Sequence, residues 1–346
     1  MSTAAALSHV LLDTQSQLTF AAEDAQSVSF DDGNRLLLVA TGDSVLSYPV
    51  DVPRAGGAAA EASTPCAPTV TVVGAGPALA ARFSLDGKVL AVQRRVTDVE
   101  FVAASGGGGT FWQRCKRAGE TIVGFFWASC AGVDFVLATT GGLELYALLP
   151  ARNGLRLVDE KRKSGVAWML YTHETRLAVL GCGTQANKLF GFQFSGAGHV
   201  KLPKFELPVA NSGPTPRPSI GPDCVRLLAV YGRLFCAHID RETKTLVLYR
   251  FYRDALLRQH SFPLPSASVA LSVIDNSVVL HTLDSGVALV LDVLSASTHP
   301  LASPLPLGGI PPQAVRTELH AEPAGTVAGV YGRGVEFLSP DLLLHR

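Results

Sequence analysis

Phe83-Ser84-Leu85-Asp86-Gly87-Lys88-Val89-Leu90-Ala91-Val92-Gln93 reads as a β-hairpin. Two apolar runs flank an Asp-Gly pair, and Gly accepts the positive φ of a tight turn at no steric cost. Weaker copies recur along the chain. Ser27–Phe30 leads through Asp31-Asp32-Gly33-Asn34 to Arg35–Ala40 and Ser44–Val50. Leu79–Phe83 leads through Asp86-Gly87 to Val89–Gln93 and Asp98–Ala103. Ile122–Trp127 is followed by Asp134–Thr139, Gly141-Gly142 and Leu143–Leu149. Three further units run through Val166–Tyr171, Arg176–Leu180 and Lys188–Phe194; Val225–Tyr231, Leu234–Ile239 and Thr245–Phe251; and Val269–Ile274, Ser277–Thr282 and Val287–Val293.

Unit starts near residues 28, 80, 122, 166, 225 and 271 lie 42 to 59 residues apart. A blade of four short antiparallel strands takes about 40–50 residues, so the pattern predicts an all-β, WD-repeat-like β-propeller of four-stranded blades. Alternating and near-continuous apolar strands fit blades packed on both faces. Further strand candidates at Thr326–Val330 and Gly334–Leu338 suggest a seventh blade begun near the end of the chain. A propeller removes its exposed edge by pairing its two termini, so Leu7–Leu12 or Gln17–Ala21 is expected to complete that blade, unless it is left incomplete. Residues 1–346 are thus expected to form a single β-propeller domain. Pro53–Pro68 and Ser105–Gly109 read as loops, Val209–Pro222 as an extended connector, and Ser295–Pro312 as a Pro- and Ser-rich break; no amphipathic helix of four turns stands out.

Composition narrows the function classes. With 346 residues, 47% hydrophobic and 17% charged, the chain can bury a large core. The 29 basic and 29 acidic residues cancel, which argues against nucleic-acid binding by bulk charge but leaves room for a local basic patch. Six scattered cysteines without a C-x-x-C pair, and no secretory signal in residues 1–10, read as reduced thiols in a cytoplasmic protein. The apolar runs are too short for a membrane helix.

No residue constellation specifies a reaction. Val72-Val73-Gly74-Ala75-Gly76-Pro77-Ala78-Leu79 opens like a dinucleotide fingerprint, but Leu79 occupies the third glycine position and a hairpin follows instead of a helix. A glycine-rich connector between blades is the better reading. The nine histidines lack ligand spacing, so no metal is expected. Cys182, between Gly181 and Gly183, has no local marker of an activated thiolate, and Gly-x-Ser-x-Gly is absent. No catalytic residue and no cofactor is expected. The basic groups Arg94-Arg95, Arg114/Lys116/Arg117 and Lys161-Arg162-Lys163 read as solvated loops, each too small alone for firm membrane attachment. Trp112, Trp127 and Trp168 read as core anchors.

Several stretches resemble the regulator of the Mon–Ccz complex, the Mic/Bulli family. They are Phe83–Arg94 followed by Asp98–Phe101, Gly124–Ser129, Gly141–Pro150, Lys201-Leu202-Pro203-Lys204-Phe205-Glu206-Leu207-Pro208, Val230–Phe235, Val273–His281 and Phe337–Asp341, collinear from about Ser27 to Asp341. The resemblance implies the N-terminal propeller portion of a longer architecture whose C-terminal α-helical region this chain lacks. It implies a non-catalytic accessory subunit of the Mon–Ccz guanine-nucleotide exchange complex, supporting late-endosomal Rab activation, endosome–lysosome maturation and autophagy. The implied location is cytoplasmic and peripheral on the late-endosomal or lysosomal membrane, held there through the Mon–Ccz heterodimer, with neither nucleic acid nor a small-molecule substrate. Lys201, Lys204, Phe205 and Glu206 are candidate partner contacts, because a charged, Pro-bounded segment with one aromatic suits a docked extended loop. The competing reading of Phe205 is a pin that holds the connector to its own blade. The competing function classes are a trafficking scaffold that captures linear peptides between blades, and a propeller enzyme with acidic or His side chains gathered at one mouth of the central channel.

Overall fold

In the computed structural model, residues 10–12, 24–50, 68–105, 109–209, 219–309, 331, 335–338 and 341–345 are described. Five of the antiparallel sheets have at least four strands. Blade one comprises Ser27–Asp31, Leu36–Ala40, Ser44–Pro49 and Thr69–Val72. Blade two comprises Ala80–Phe83, Val89–Gln93, Asp98–Ala103 and Phe111–Arg114, and blade three Ile122–Cys130, Val133–Thr139, Gly142–Leu149 and Gly154–Arg162. Blade four comprises Val166–Thr172, Leu177–Cys182, Lys188–Ser195 and Gly198–Lys201, with Phe205–Glu206 added beside its third strand. Blade five comprises Val225–Val230, Arg233–Asp240, Thr245–Phe251 and Leu256–Pro263.

The first strands of successive blades touch in chain order, which is the radial arrangement of a propeller. The second strand of each blade is covered on both faces by neighbouring blades, and this explains its unbroken apolar run. Val136, Leu137 and Ala138, consecutive in blade three, are all fully buried. Blade seams hold the core. Leu38 and Val45 of blade one meet Phe83 and Leu90 of blade two, and Phe101 of blade two meets Phe125 and Phe135 of blade three. Val136 and Leu145 meet Leu180 and Phe192 across the next seam. Each such side chain contributes about 1.5–3 kcal/mol on burial.

The sixth unit is not a regular four-stranded blade. Blade six has three regular strands, Val269–Ile274, Ser277–Thr282 and Val287–Leu291. Beside the third runs an irregular segment in which Leu305 exchanges both backbone hydrogen bonds with Ala288, and Leu301 N–H donates to Val290. Pro300, Pro304 and Pro306 lack the N–H a regular ladder needs. Among the described residues, the seventh sheet consists of the hairpin Val335–Leu338/Leu342–His345. Leu11–Leu12 does not pair with this hairpin; it lies parallel to Gly308–Gly309. Val10 nonetheless packs with Leu307, Tyr331 and Leu343 against blade six, so the N-terminal strand reaches the seam of blades six and seven. Gln17–Ala21 and Thr326–Val330 lie outside the described residues. Among the described residues, no helix is long and apolar enough to cross a membrane.

Candidate partner interface

The connector from blade four to blade five holds Lys201, Lys204, Phe205 and Glu206, the residues the sequence offers as candidate partner contacts. Leu202 and Leu207 are buried and anchor it at both ends. Between them Lys204 and Glu206 are exposed and paired to each other, Nζ to Oε1 at 3.2 Å, and Lys201 is exposed at the end of the outer strand. Phe205 differs from its neighbours. Its backbone pairs with Leu189 of blade four, while its ring stands edge-on to Phe251 of blade five at 6.0 Å and 6.5 Å from Tyr249. Phe205 therefore pins two blades rather than only its own, and the three charged residues are the ones left on the surface.

Members of all three basic groups, Arg95, Lys116, Arg117 and Arg162, come to one face of the disc, whereas Arg94 is buried and is not part of a solvated loop. Cys115 N–H donates to Thr97 O at 3.1 Å and Ile122 N–H to Val96 O at 2.6 Å, which places the Arg94–Thr97 turn beside the connector from blade two to blade three. Glu160 accepts from Lys116 Nζ and Arg117 Nε, both at 3.3 Å, and Arg162 Nη2 reaches Glu120 at 2.7 Å. The hydrogen bond from Arg162 holds the Glu120 carboxyl below its usual range. The tryptophans divide. Trp127 and Trp168 are buried anchors, their indole N–H groups donating to Arg82 O at 3.1 Å and Ile220 O at 2.6 Å. Trp112 is not a core anchor: it is 54% exposed on the outer strand of blade two, where every second side chain faces solvent.

An enzyme reading requires free titratable groups at the channel mouth, and the structure does gather some there. Asp31 and Asp32 of blade one, Arg82 of blade two, and Tyr171 and His173 of blade four surround one cavity. Asp31 accepts from Phe83 N–H at 2.9 Å and Asn34 Nδ2 at 3.0 Å; burial pushes its carboxyl up, against the pull of Arg82. Asp32 is bound by Arg82 at 3.4 Å and by the backbone N–H of His173. The cavity measures about 10 Å³. That is space for one water at most, whereas small-molecule sites run to about 300 Å³ or more. These side chains spend their hydrogen bonds tying blades together. No three His, Cys, Asp or Glu among the described residues are placed to hold a metal ion.

The other sequence candidates also have structural explanations. The Gly74–Pro77 carbonyls face Arg94, whose guanidinium donates to Pro77 O at 3.1 Å, to Gly76 O at 3.3 Å and to Gly74 O. Its Nε is paired with buried Glu100 at 2.5 Å. A Cβ on Gly74 would lie 2.9 Å from Glu100 Oε1. The stretch is a connector clamped by a buried ion pair, not a phosphate cradle. Cys182 is buried, and desolvation pushes its thiol up to about 11, away from thiolate reactivity. Gly181 has no side chain because the Trp168 indole occupies that space. Cys115, Cys130, Cys182, Cys224 and Cys236 are free thiols, and Cys66 lies outside the described residues.

A family model described as "Regulator of MON1-CCZ1 complex, N-terminal" matches residues 28–155, which covers blades one and two and most of blade three. The Regulator of MON1-CCZ1 complex of Homo sapiens is 30% identical over 223 residues, covering 61% of this chain and 34% of that protein. The Mus musculus protein of the same name is 29% identical over the same length and the same shares. The chain resembles the regulators of the Mon–Ccz complex. It spans about a third of the length of these relatives. Among solved structures, Hsv2 of Kluyveromyces marxianus aligns with a TM-score of 0.50 at 9% identity, over 79% of this chain and 74% of that one. The periplasmic gluconolactonase PpgL of Pseudomonas aeruginosa aligns with a TM-score of 0.50 at 16% identity, over 84% and 88%. At such identities these likenesses speak to the fold alone.

Proposed function

We propose that this chain is a non-catalytic accessory subunit of the Mon–Ccz guanine-nucleotide exchange complex, and that its propeller binds the heterodimer. The observation that carries this reading is the collinear match to the regulators of that complex. The satisfied, water-sized channel mouth supports a binding rather than a catalytic role. In this role the chain works on the cytoplasmic side of late endosomes and lysosomes, held at the membrane through the heterodimer. It supports late-endosomal Rab activation, endosome–lysosome maturation and autophagy. Lys201, Lys204 and Glu206 contact the partner, while Phe205 holds the connector in place.

The test is a pull-down of the Mon–Ccz heterodimer with residues 1–346. Capture that is lost on Lys201→Glu/Lys204→Glu supports both the function and the contact. Capture that survives the double reversal moves the contact elsewhere on the disc, and no capture at all removes the adaptor reading for this chain. A groove of about 550 Å³ between blades two and three, lined by Val89, Phe111, Leu148 and Pro150, favours peptide capture as the second reading. That reading expects linear peptides to bind without the heterodimer and to be blocked by Phe111→Arg.

A further inference from the structure

Read one at a time, the basic groups are too small to attach the protein to anything. The fold adds them up. Arg95 and Val96 form the tip of the turn between the second and third strands of blade two, and both are exposed, Val96 by 57%. The backbone bonds of Thr97 and Val96 to Cys115 and Ile122 set this tip against the turn Lys116-Arg117-Ala118-Gly119, where all four residues are exposed. Arg162, at the end of the outer strand of blade three, closes the cluster through Glu120.

The layering of charge matters more than the count. The acidic partners lie underneath, with side-chain exposures of 17% for Glu160 and 12% for Glu120. The cations above them are 53% exposed for Arg117, 47% for Lys116 and 43% for Arg162. The carboxylates orient the cations without covering them, so the outermost charge on this face is positive although the chain as a whole is neutral. The crest between the cations is apolar or small: Val96, Ala118 and Gly119. A protein partner rich in acids would be expected to meet cations alone. A β-branched aliphatic tip ringed by cations matches the boundary of a bilayer, where apolar atoms sit below the headgroups and Lys and Arg lie at phosphate level.

We propose that this face docks directly on a membrane rich in anionic phospholipid, with Val96 seated among the headgroups and Arg95, Lys116, Arg117 and Arg162 over their phosphates. Each cation near such a surface multiplies the partition coefficient roughly fivefold, and the gain fades as salt shortens the Debye length. The contact is independent of the heterodimer and needs no covalent step.

Co-sedimentation of the 346-residue chain with vesicles tests it, using phosphatidylcholine alone against phosphatidylcholine containing about a third phosphatidylserine. The expected result is binding to the anionic vesicles only, released by raised salt. Arg95→Glu/Lys116→Glu/Arg117→Glu should lose it by at least tenfold, and Val96→Ser by a few-fold at unchanged charge. Arg117→Lys should retain it. If the triple variant does not fold, Val96→Ser and the salt release decide the matter. Failure of the wild-type chain to bind anionic vesicles, or equal binding by the folded triple variant, overturns the proposal. So does a triple variant that loses the Mon–Ccz heterodimer while neither protein binds vesicles, which would make this face a protein interface.

Discussion

Arg94 and Glu100 show what one buried pair does at the scale of single residues. Both are 4% or less exposed, and together they hold the carbonyls of the Gly74–Pro77 connector. Removing one partner strands the other charge in a dry seam. Glu100→Gln is therefore expected to cost about 3–5 kcal/mol in urea unfolding, several times a typical surface substitution of no more than about 0.5 kcal/mol. The tryptophans offer a second contrast. Trp127→Ala should cost about 3–5 kcal/mol and Trp112→Ala no more than about 0.5 kcal/mol, measured by the same unfolding curves. From sequence the two looked alike, because Phe111-Trp112 and Phe126-Trp127 are both aromatic pairs in strand-like surroundings. What separates them is depth within the blade, and local pattern does not encode depth. The connector role of Gly74–Pro77 was legible from the missing third glycine and the missing helix; that Arg94 would bind its carbonyls was not, since the two are brought together only by the blade seam.

His281 carries a pH dependence. It sits on the second strand of blade six with Nε2 2.7 Å from Ser272 Oγ and Nδ1 3.2 Å from Tyr331 OH. Burial pushes its pKa down from 6.5 to about 4. The unfolded chain therefore takes up the proton more readily than the folded one. The stability linked to this group is full above pH 6.5 and is lost as pH falls from there toward 4, on the order of 3 kcal/mol in all. Thermal midpoints between pH 7 and 4.5 should fall more steeply in the wild-type protein than in His281→Asn, which keeps a polar partner for Ser272 but does not titrate.

At the scale of elements, the inner three strands of each blade were readable and the fourth was not. Leu36–Ala40 or Leu177–Cys182 announce themselves by continuous apolar runs, because neighbours cover both faces. Leu256–Pro263 and Gly198–Lys201 are mostly exposed or half-buried and carry Arg, Gln, His and Lys, so neither a period of two nor a run survives. The outer strand forms because the third strand offers an unpaired edge, which is information held by its neighbour. The blade four to five connector behaves in the same way. Phe205→Ala should lower stability by about 2 kcal/mol through the loosened seam with Phe251 and Tyr249, whereas reversing Lys201 and Lys204 should change it by no more than about 0.5 kcal/mol. Chemical denaturation of the three variants distinguishes a packing residue from surface ones.

For the whole molecule, repeat spacing foretold a propeller and an N-terminal strand close to the last blade, and the described residues place that strand at the seam of blades six and seven. Leu11–Leu12 lies beside Gly308–Gly309, not beside the last hairpin. Pro300, Pro304 and Pro306 lack the N–H that a regular fourth strand of blade six needs, and Gly308–Gly309, just after them, pairs with the N-terminal strand. Deleting residues 1–12 removes Val10 from the cluster around Leu307 and Leu343. Limited proteolysis should then cut first around Val335–His345, with blades one to four still protected.

That protection follows from the ties around the channel. Asp31 of blade one binds Phe83 of blade two, and Trp127 of blade three binds Arg82 of blade two. Phe126 of blade three stacks on Tyr171 of blade four at 3.7 Å, and blade four returns to blade one through His173 and Asp32. A wheel normally depends on its last spoke to stay round. Here a brace joins the first spoke to the fourth, so half of the wheel is a closed frame by itself, and that half keeps its shape without help from the blades that follow it.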